Sequence, residues 1–414
     1  MNLIYAKKFR FPDNSANMIQ GVNMVAAFSH HNINTNAFFS FNDTINDRNS
    51  FLKDCYGINF SRQSNQIHFT SQKLRGLNYN LWLIKNIINN LPVNIEIKVF
   101  DEVLPNPTIE IVENGIQEYI KFEPECVIAL GGGSPIDACK GILYFGDKIF
   151  KALNKKIERI FIAVPTTSGT GSEVTSYSVI TSKNSKIALA NNEMLPNIAI
   201  LNPEFMKTLP KKVIADTGMD VLTHALEAYV SNNSNNFTNA LALESIKIIA
   251  KDLLCHYENK ELLEPRENIQ QASCIAGVAF NNSSLGINHS IAHTIGAKFH
   301  IPHGRANAIV LPYIIEANTK AYVKYAELAK QIGLLKENSK SCGKEAFRIF
   351  VEILKEKMEI PHCLQDMGIS FEDYKKLIPE MLKDIKNDIC TTYNPNSLTD
   401  EEYIKLLLKI YYGR

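Results

Sequence analysis

Short apolar runs alternate with amphipathic stretches through the first half of the chain. The strand-like runs are Asn2–Ala6, Ile67–Thr70, Ile95–Phe100, Cys126–Leu130, Ile160–Val164 and Ala199–Leu201. Between them lie helix-like stretches at Ala16–Phe28, Trp82–Asn90 and Thr108–Lys121, the last opening on Pro107-Thr108, a suitable helix start. Strands alternating with helices predict βαβ units and a mostly parallel sheet. From about Pro203 the texture changes. Long stretches of helical period take over: Ala215–Ser231, Thr238–Tyr257, Asn268–Phe280, Ser290–Phe299, Ala306–Lys330 and Ser341–Lys357. The pattern predicts an α/β domain over residues 63–205 and an all-α domain over 206–414. Residues 1–62 read as an atypical strand–helix–strand opening.

Charge and composition then remove several classes of function. Lys and Arg number 44 against 43 Asp and Glu, a net charge of +1. A nucleic-acid binder needs a clustered basic excess, so none is expected as partner. No apolar run approaches the roughly 18 residues of a membrane span. The opening MNLIYAKKFRFPDN has too short an apolar stretch for a signal peptide and turns to charge at once. The eight cysteines are scattered, without a CxxC pair, which suits reduced thiols in the cytoplasm.

Two polar loops follow apolar strands. Residues 126–140 read CVIALGGGSPIDACK: a buried strand, three glycines, Ser134-Pro135, then a helix bearing Asp137. Glycines let main-chain amides approach a phosphate, and the helix N-terminus adds free N–H groups and the positive dipole end. Gly131 and Gly133 fit a dinucleotide fingerprint, but Ile136 stands where its third glycine belongs. The second loop lies in FIAVPTTSGTGSEVTSYSVIT, 161–181, where Thr166, Thr167, Ser168, Thr170, Ser172 and Thr175 surround two glycines. Small hydroxyls at a strand's C-terminal end suit a sugar or phosphate, and open α/β sheets bind ligands there.

The helical half carries the metal-type donors. Asp220 and His224 are four apart in ADTGMDVLTHALEAYVS, on one face of an otherwise apolar helix. Downstream, GINHSIAHTIGAKFHIPHGRAN holds His289, His293, His300 and His303, with the first pair again four apart. Ser290 stands where a metalloprotease HExxH would have glutamate. A carboxylate and imidazoles buried together call for a cation. Asp220, His224, His289 and His303 form a mixed N/O set suited to Fe(II) or Zn(II).

These segments, in this order, resemble the iron-containing (group III) alcohol dehydrogenase family. The matching motifs are VFDEVLPNPT (99–108), GGGSPIDACK (131–140), PTTSGTGSEVTS (165–176), TGMDVLTHALEAYVS (217–231) and GINHSIAHTIGAKFHIPHGRANAIVLPY (286–313). Within the family the chain is most similar to 1-propanol dehydrogenases of propanediol utilisation. The resemblance implies a dinucleotide-binding α/β domain followed by an all-α metal domain, and Asp220, His224, His289 and His303 as metal ligands. It implies that His293 lies by the reacting oxygen, and that Gly132, Gly133, Ser134 and Asp137 hold the pyrophosphate. Thr166, Thr167 and Thr170 would line the adenosine side, with Asn106 and Lys186 near the cofactor. The expected activity interconverts a short-chain primary alcohol, such as propanol, ethanol or butanol, with its aldehyde. The cofactors would be Fe(II), or Zn(II), and NAD, in a cytoplasmic homo-oligomer that associates with a bacterial microcompartment. Alternatives are a glycerol dehydrogenase-like polyol oxidoreductase, a dehydroquinate synthase-like lyase and a weakly catalytic filament-forming protein.

The chain departs from the family at three places. Ser71 stands where the family carries an aspartate that disfavours a 2′-phosphate, which leaves NADP open as coenzyme. Asn202 replaces an aspartate in ILNP, and residues 1–62 do not resemble the family's opening hairpin.

Overall fold

The computed structural model describes residues 67–72 (backbone), 96–156, 158–182, 185–335 and 342–413. The expected strand Asn2–Ala6, the helices Ala16–Phe28 and Trp82–Asn90 and the opening segment 1–62 lie outside these. The chain divides into two compact units. The first runs to Thr166 and includes Ser172–Thr181 and Ala188–Asn202; the second comprises Thr167–Gly171, Ser182–Ile187 and Pro203–Arg414.

In the first unit β1 (Ile67–Gln72), β2 (Ile97–Val103), β3 (Cys126–Gly131), β4 (Ile160–Pro165) and β7 (Ile198–Ala199) form a sheet in the order β2-β1-β3-β4-β7. Every pair in it is parallel. The expected runs Ile67–Thr70, Cys126–Leu130 and Ile160–Val164 are all strands; the run from Ile95 starts later and extends to Val103, and Ala199–Leu201 contracts to a two-residue strand. β3 and β4 are continuous apolar runs because both sheet faces are covered. Helix α1 (Ile109–Phe122) starts where Thr108 accepts a hydrogen bond from the Ile111 amide. Helix α2 (Gly133–Ala152) packs on α1 through Tyr119, Val112, Ile142 and Phe150 in one core with Val127, Ala129 and Phe161. The chain order reverses at β1 and β3, which are neighbours in the sheet. That is the switch point of an open α/β sheet, where ligands bind at the strands' carboxyl ends.

The polar stretch 161–181 contains more than strand and loop. Its last residues form β5 (Tyr177–Ser182), paired with β6 (Ser185–Ala190) in a separate two-stranded sheet.

The second unit is helical: α3 (Lys211–Val230), α4 (Asn236–Glu258), α5 (Leu263–Ser283), α6 (Ile287–Phe299), α7 (His303–Ala317), α8 (Tyr322–Gln331), α9 (Gly343–Lys357), α10 (Phe371–Asn387) and α11 (Asp400–Tyr412). Helix α3 is buried almost all round and packs against α4, α5 and α7, which makes it the central element of the unit. The single helix expected over Ala306–Lys330 is two helices, broken at Asn318. Its buried amide exchanges hydrogen bonds with Asn394, at 2.8 and 3.2 Å. A distant side chain thus outweighs local helical periodicity. No helix among the described residues is long and apolar enough to cross a membrane.

Candidate functional site

The first unit offers a turn built from main chain. β3 ends on Gly131 at φ 153°, a conformation L side chains rarely adopt, and a Cβ there would come within 2.5 Å of Pro135 Cγ. Gly132 is the N-cap of α2, with no side-chain cap and no acidic residue in the first turn. The first N–H groups of a helix have no intrahelical partner, so α2 offers donors and a positive dipole end beside Gly133 and Ser134. The Asn106 amide donates to Ser134 Oγ at 3.2 Å, which brings these two predicted residues together.

Asp137, in the first turns of α2, is tied to the segment that follows β4. Its carboxylate accepts from Ser172 Oγ at 2.5 Å and from the Val179 amide at 3.1 Å. One helical turn on, buried Lys140 donates to Ser172 Oγ (2.9 Å), Thr175 Oγ1 (3.2 Å) and the Tyr177 carbonyl (2.7 Å). Burial lowers the Lys140 ammonium to about 8, against the opposing charges of Asp137 and Glu173. These bonds pin the hydroxyl-rich loop to α2. Thr166 stays with the first unit, where its amide donates to the Gly131 carbonyl at 2.9 Å. Thr167, Thr170 and Lys186 belong to the second unit. The charge of Lys186 acts there on Asp220 and His303. Ser71 pairs through its backbone with Leu130, and its side chain lies outside the described residues.

In the second unit three helices supply side chains to one place. Asp220 and His224 come from the middle of α3, His289 from the first turn of α6, and His303 from the first residue of α7. One donor atom from each lies within 4.8 Å of all the others. His224 stacks on His289 with ring centroids 4.6 Å apart and on Phe280 at 4.5 Å. Asp220 Oδ1 is 3.5 Å from His303 Nε2 and 3.9 Å from His289 Nε2. A buried ion pair between Arg305 and Asp216, at 2.8 Å, ties the start of α7 to α3 one turn before Asp220.

The electrostatics of this cluster follow from its dryness. Burial pushes the three imidazoles well down and Asp220 up to about 7. Neutral imidazoles present lone pairs, and a carboxylate in so apolar a place is stable when a cation offsets its charge. Three imidazoles and one carboxylate fit a first-row divalent ion such as Fe(II) or Zn(II).

Three further residues belong to this site and were not singled out from the sequence. Asn307 donates from Nδ2 to Asp220 Oδ1 at 2.7 Å and lies near His289 and His303 Nε2, at 3.1 and 3.2 Å. Glu227 Oε2 lies 2.5 Å from His289 Nδ1. Asp388 Oδ2 lies 2.8 Å from Nδ1 of His293, whose ring stacks on His303 at 5.3 Å. Burial pushes Asp388 up, but the hydrogen bond and charge of His293 prevail and hold it well below the usual carboxylate range. The sequence does carry a signal for Glu227. With Asp220 and His224 it completes an i, i+4, i+7 polar stripe on an apolar helix.

Comparison with known proteins agrees with this picture. Residues 75–203 match the family "Iron-containing alcohol dehydrogenase", and 214–411 match "Fe-containing alcohol dehydrogenase family, C-terminal". An NADPH-dependent butanol dehydrogenase of Clostridium saccharobutylicum is 40% identical, over 77% of this chain and 85% of that protein. The 1-propanol dehydrogenase PduQ of Salmonella typhimurium is 39% identical, over 78% of this chain and 88% of its own length. Among solved structures, sulfoacetaldehyde reductase from Bifidobacterium kashiwanohense in complex with NAD+ superposes with a TM-score of 0.73 at 25% identity, covering 88% of this chain and 94% of its own.

Proposed function

Because the chain belongs to the iron-containing alcohol dehydrogenase family, we propose that it interconverts a short-chain primary alcohol, propanol or butanol, and its aldehyde. The observation that carries this reading is the convergence of Asp220, His224, His289 and His303 within 4.8 Å. In the proposal these four hold Fe(II), or Zn(II) in its place. Gly132, Gly133, Ser134 and the free amides of α2 hold the pyrophosphate of NAD or NADP, beside Asn106 and Thr166. Thr167, Thr170 and Lys186 are proposed as further cofactor contacts, and Ser71 as the position that leaves the 2′-phosphate admissible. Asp137 serves this site indirectly, by fixing the hydroxyl-rich loop against α2.

A metal held by Asp220, His224, His289 and His303 would supply Lewis-acid polarisation, and a bound nicotinamide would supply the hydride acceptor. The protein's own residues do the rest. His293 accepts the hydroxyl proton at Nε2, because Asp388 engages its Nδ1 and fixes the ring. Its partial exposure lets that proton pass on to water. Burial of Asp220, His224 and His289 keeps competing water from the donors.

The cysteines resolved among the described residues are all free, which supports a cytoplasmic setting. The likeness to a propanediol-utilisation enzyme supports microcompartment association, and assembly into a homo-oligomer is part of the same proposal. The test is oxidation of NADH and of NADPH with propanal and butanal, after reconstitution with Fe(II) or Zn(II). Turnover with either metal supports the reading, and the preferred coenzyme decides the role of Ser71. No turnover in the metal-loaded protein with any of these combinations overturns it.

A further inference from the structure

We infer that Glu227 is a positioning residue for the metal: it fixes His289 so that Nε2, rather than Nδ1, presents its lone pair to the cluster. The inference rests on the metal-binding reading above. Glu227 lies on α3, one turn beyond His224, and is buried. Its Oε2 lies 2.5 Å from Nδ1 of His289, where an ionised carboxylate accepts from an Nδ1–H, while Oε1 accepts from the Asn288 amide at 2.7 Å. Both bonds go to the first turn of α6, which has no side-chain cap of its own. Burial pushes Glu227 up to about 8, and the amides and positive dipole end of α6 act against that rise.

Close approach makes the arrangement possible. A Cβ on Gly286 would come within 2.8 Å of Glu227 Oε1, so a side chain at the N-cap of α6 would push against this carboxylate. Two N–H donors meet two carboxylate oxygens, and no neutral side chain of this size accepts on both arms. A glutamine would turn its NH2 group against one of the donors. Outer partners of this kind set ring orientation and ligand basicity, and their loss typically costs about 10- to 100-fold in metal affinity.

A neighbouring residue separates this role from plain helix capping. Asn394 Oδ1 accepts the Ile287 amide at 3.3 Å, so it caps the same end of α6 without touching His289. Asn394 also holds Asn318 and the Asn396 carbonyl, so its loss is at least as disruptive to packing. Metal-stripped wild type, Glu227→Gln and Asn394→Ala are titrated with Co(II), following the visible ligand-field bands, and with Zn(II) against a competing chelator. The expected result is a 10- to 100-fold weaker Zn(II) affinity and altered Co(II) bands for Glu227→Gln. Asn394→Ala is expected to keep wild-type affinity and bands while melting at a lower temperature. Equal losses in the two variants, or an unchanged Glu227→Gln, overturn the assignment of Glu227 alone. A wild-type chain that binds no metal overturns both this inference and the reading beneath it. Should Glu227→Gln fail to fold, Glu227→Asp keeps the charge but withdraws it from Nδ1, and the same loss is expected.

Discussion

In the first unit the candidate ligand-binding groups are main-chain amides at the end of β3, while in the second they are side chains carried by three helices. The difference is physical. An amide is the same whatever residue carries it, so the first site depends on conformation, at Gly131 above all. An imidazole or carboxylate is specific, so the second depends on residue identity and on the outer groups Glu227, Asn307 and Asp388 that orient it. Polar groups of the first unit are spent on holding the loop, as Asp137 and Lys140 are. In the second they converge on one place.

The contrast predicts how each unit fails. Asp220→Ala or His289→Ala is expected to lose bound metal and to slow alcohol oxidation by ~10³-fold or more, since Lewis-acid polarisation is worth several kcal/mol. NADH binding, followed by its fluorescence, is expected to survive. Loss of both together would erase the distinction between the units. Asp388→Asn is expected to lower kcat by about 10²-fold, with metal content unchanged, because His293 loses the partner that sets its tautomer. A variant with full kcat would remove His293 from proton transfer.

Gly131→Ala acts on the first unit alone. The positive φ and the contact with Pro135 impose about 1–3 kcal/mol of strain. KM for the dinucleotide is expected to rise about tenfold, with metal content and saturated kcat retained. A fall in metal content instead would contradict the separation. The smallest effect concerns Lys140. It is charged in folded and unfolded chains below about 8, and between about 8 and 10.5 the folded chain alone has released its proton. Stability therefore rises with pH across that window. The denaturant-measured stability of wild type minus that of Lys140→Met is expected to rise there, and a flat or falling difference would refute the burial effect.

Much of this architecture is legible in the residues. β3 and β4 announce themselves as unbroken apolar runs, and α3 by its flanking period. Asp220 and His224 stand out because their helix is otherwise apolar. Features set by distant partners are not legible. Asn318 breaks a periodic helix because of a residue 76 positions away, and Asp388 reaches His293 across 95. β5 hides at the end of a hydroxyl-rich run whose alternation is weak, and its partner β6 is a short stretch that follows it. The bonds from Ser172 and Val179 to the Asp137 carboxylate cross 35 and 42 positions and are likewise not legible.

The most direct test titrates metal-stripped wild type and Asp220→Ala with Fe(II) under anaerobic conditions. Bound metal and aldehyde-dependent NAD(P)H oxidation are read on the same samples. Activity that rises with bound iron and saturates at one ion per chain, in wild type alone, is the predicted result. Full activity in the stripped protein, or equal iron binding by Asp220→Ala, would contradict the account.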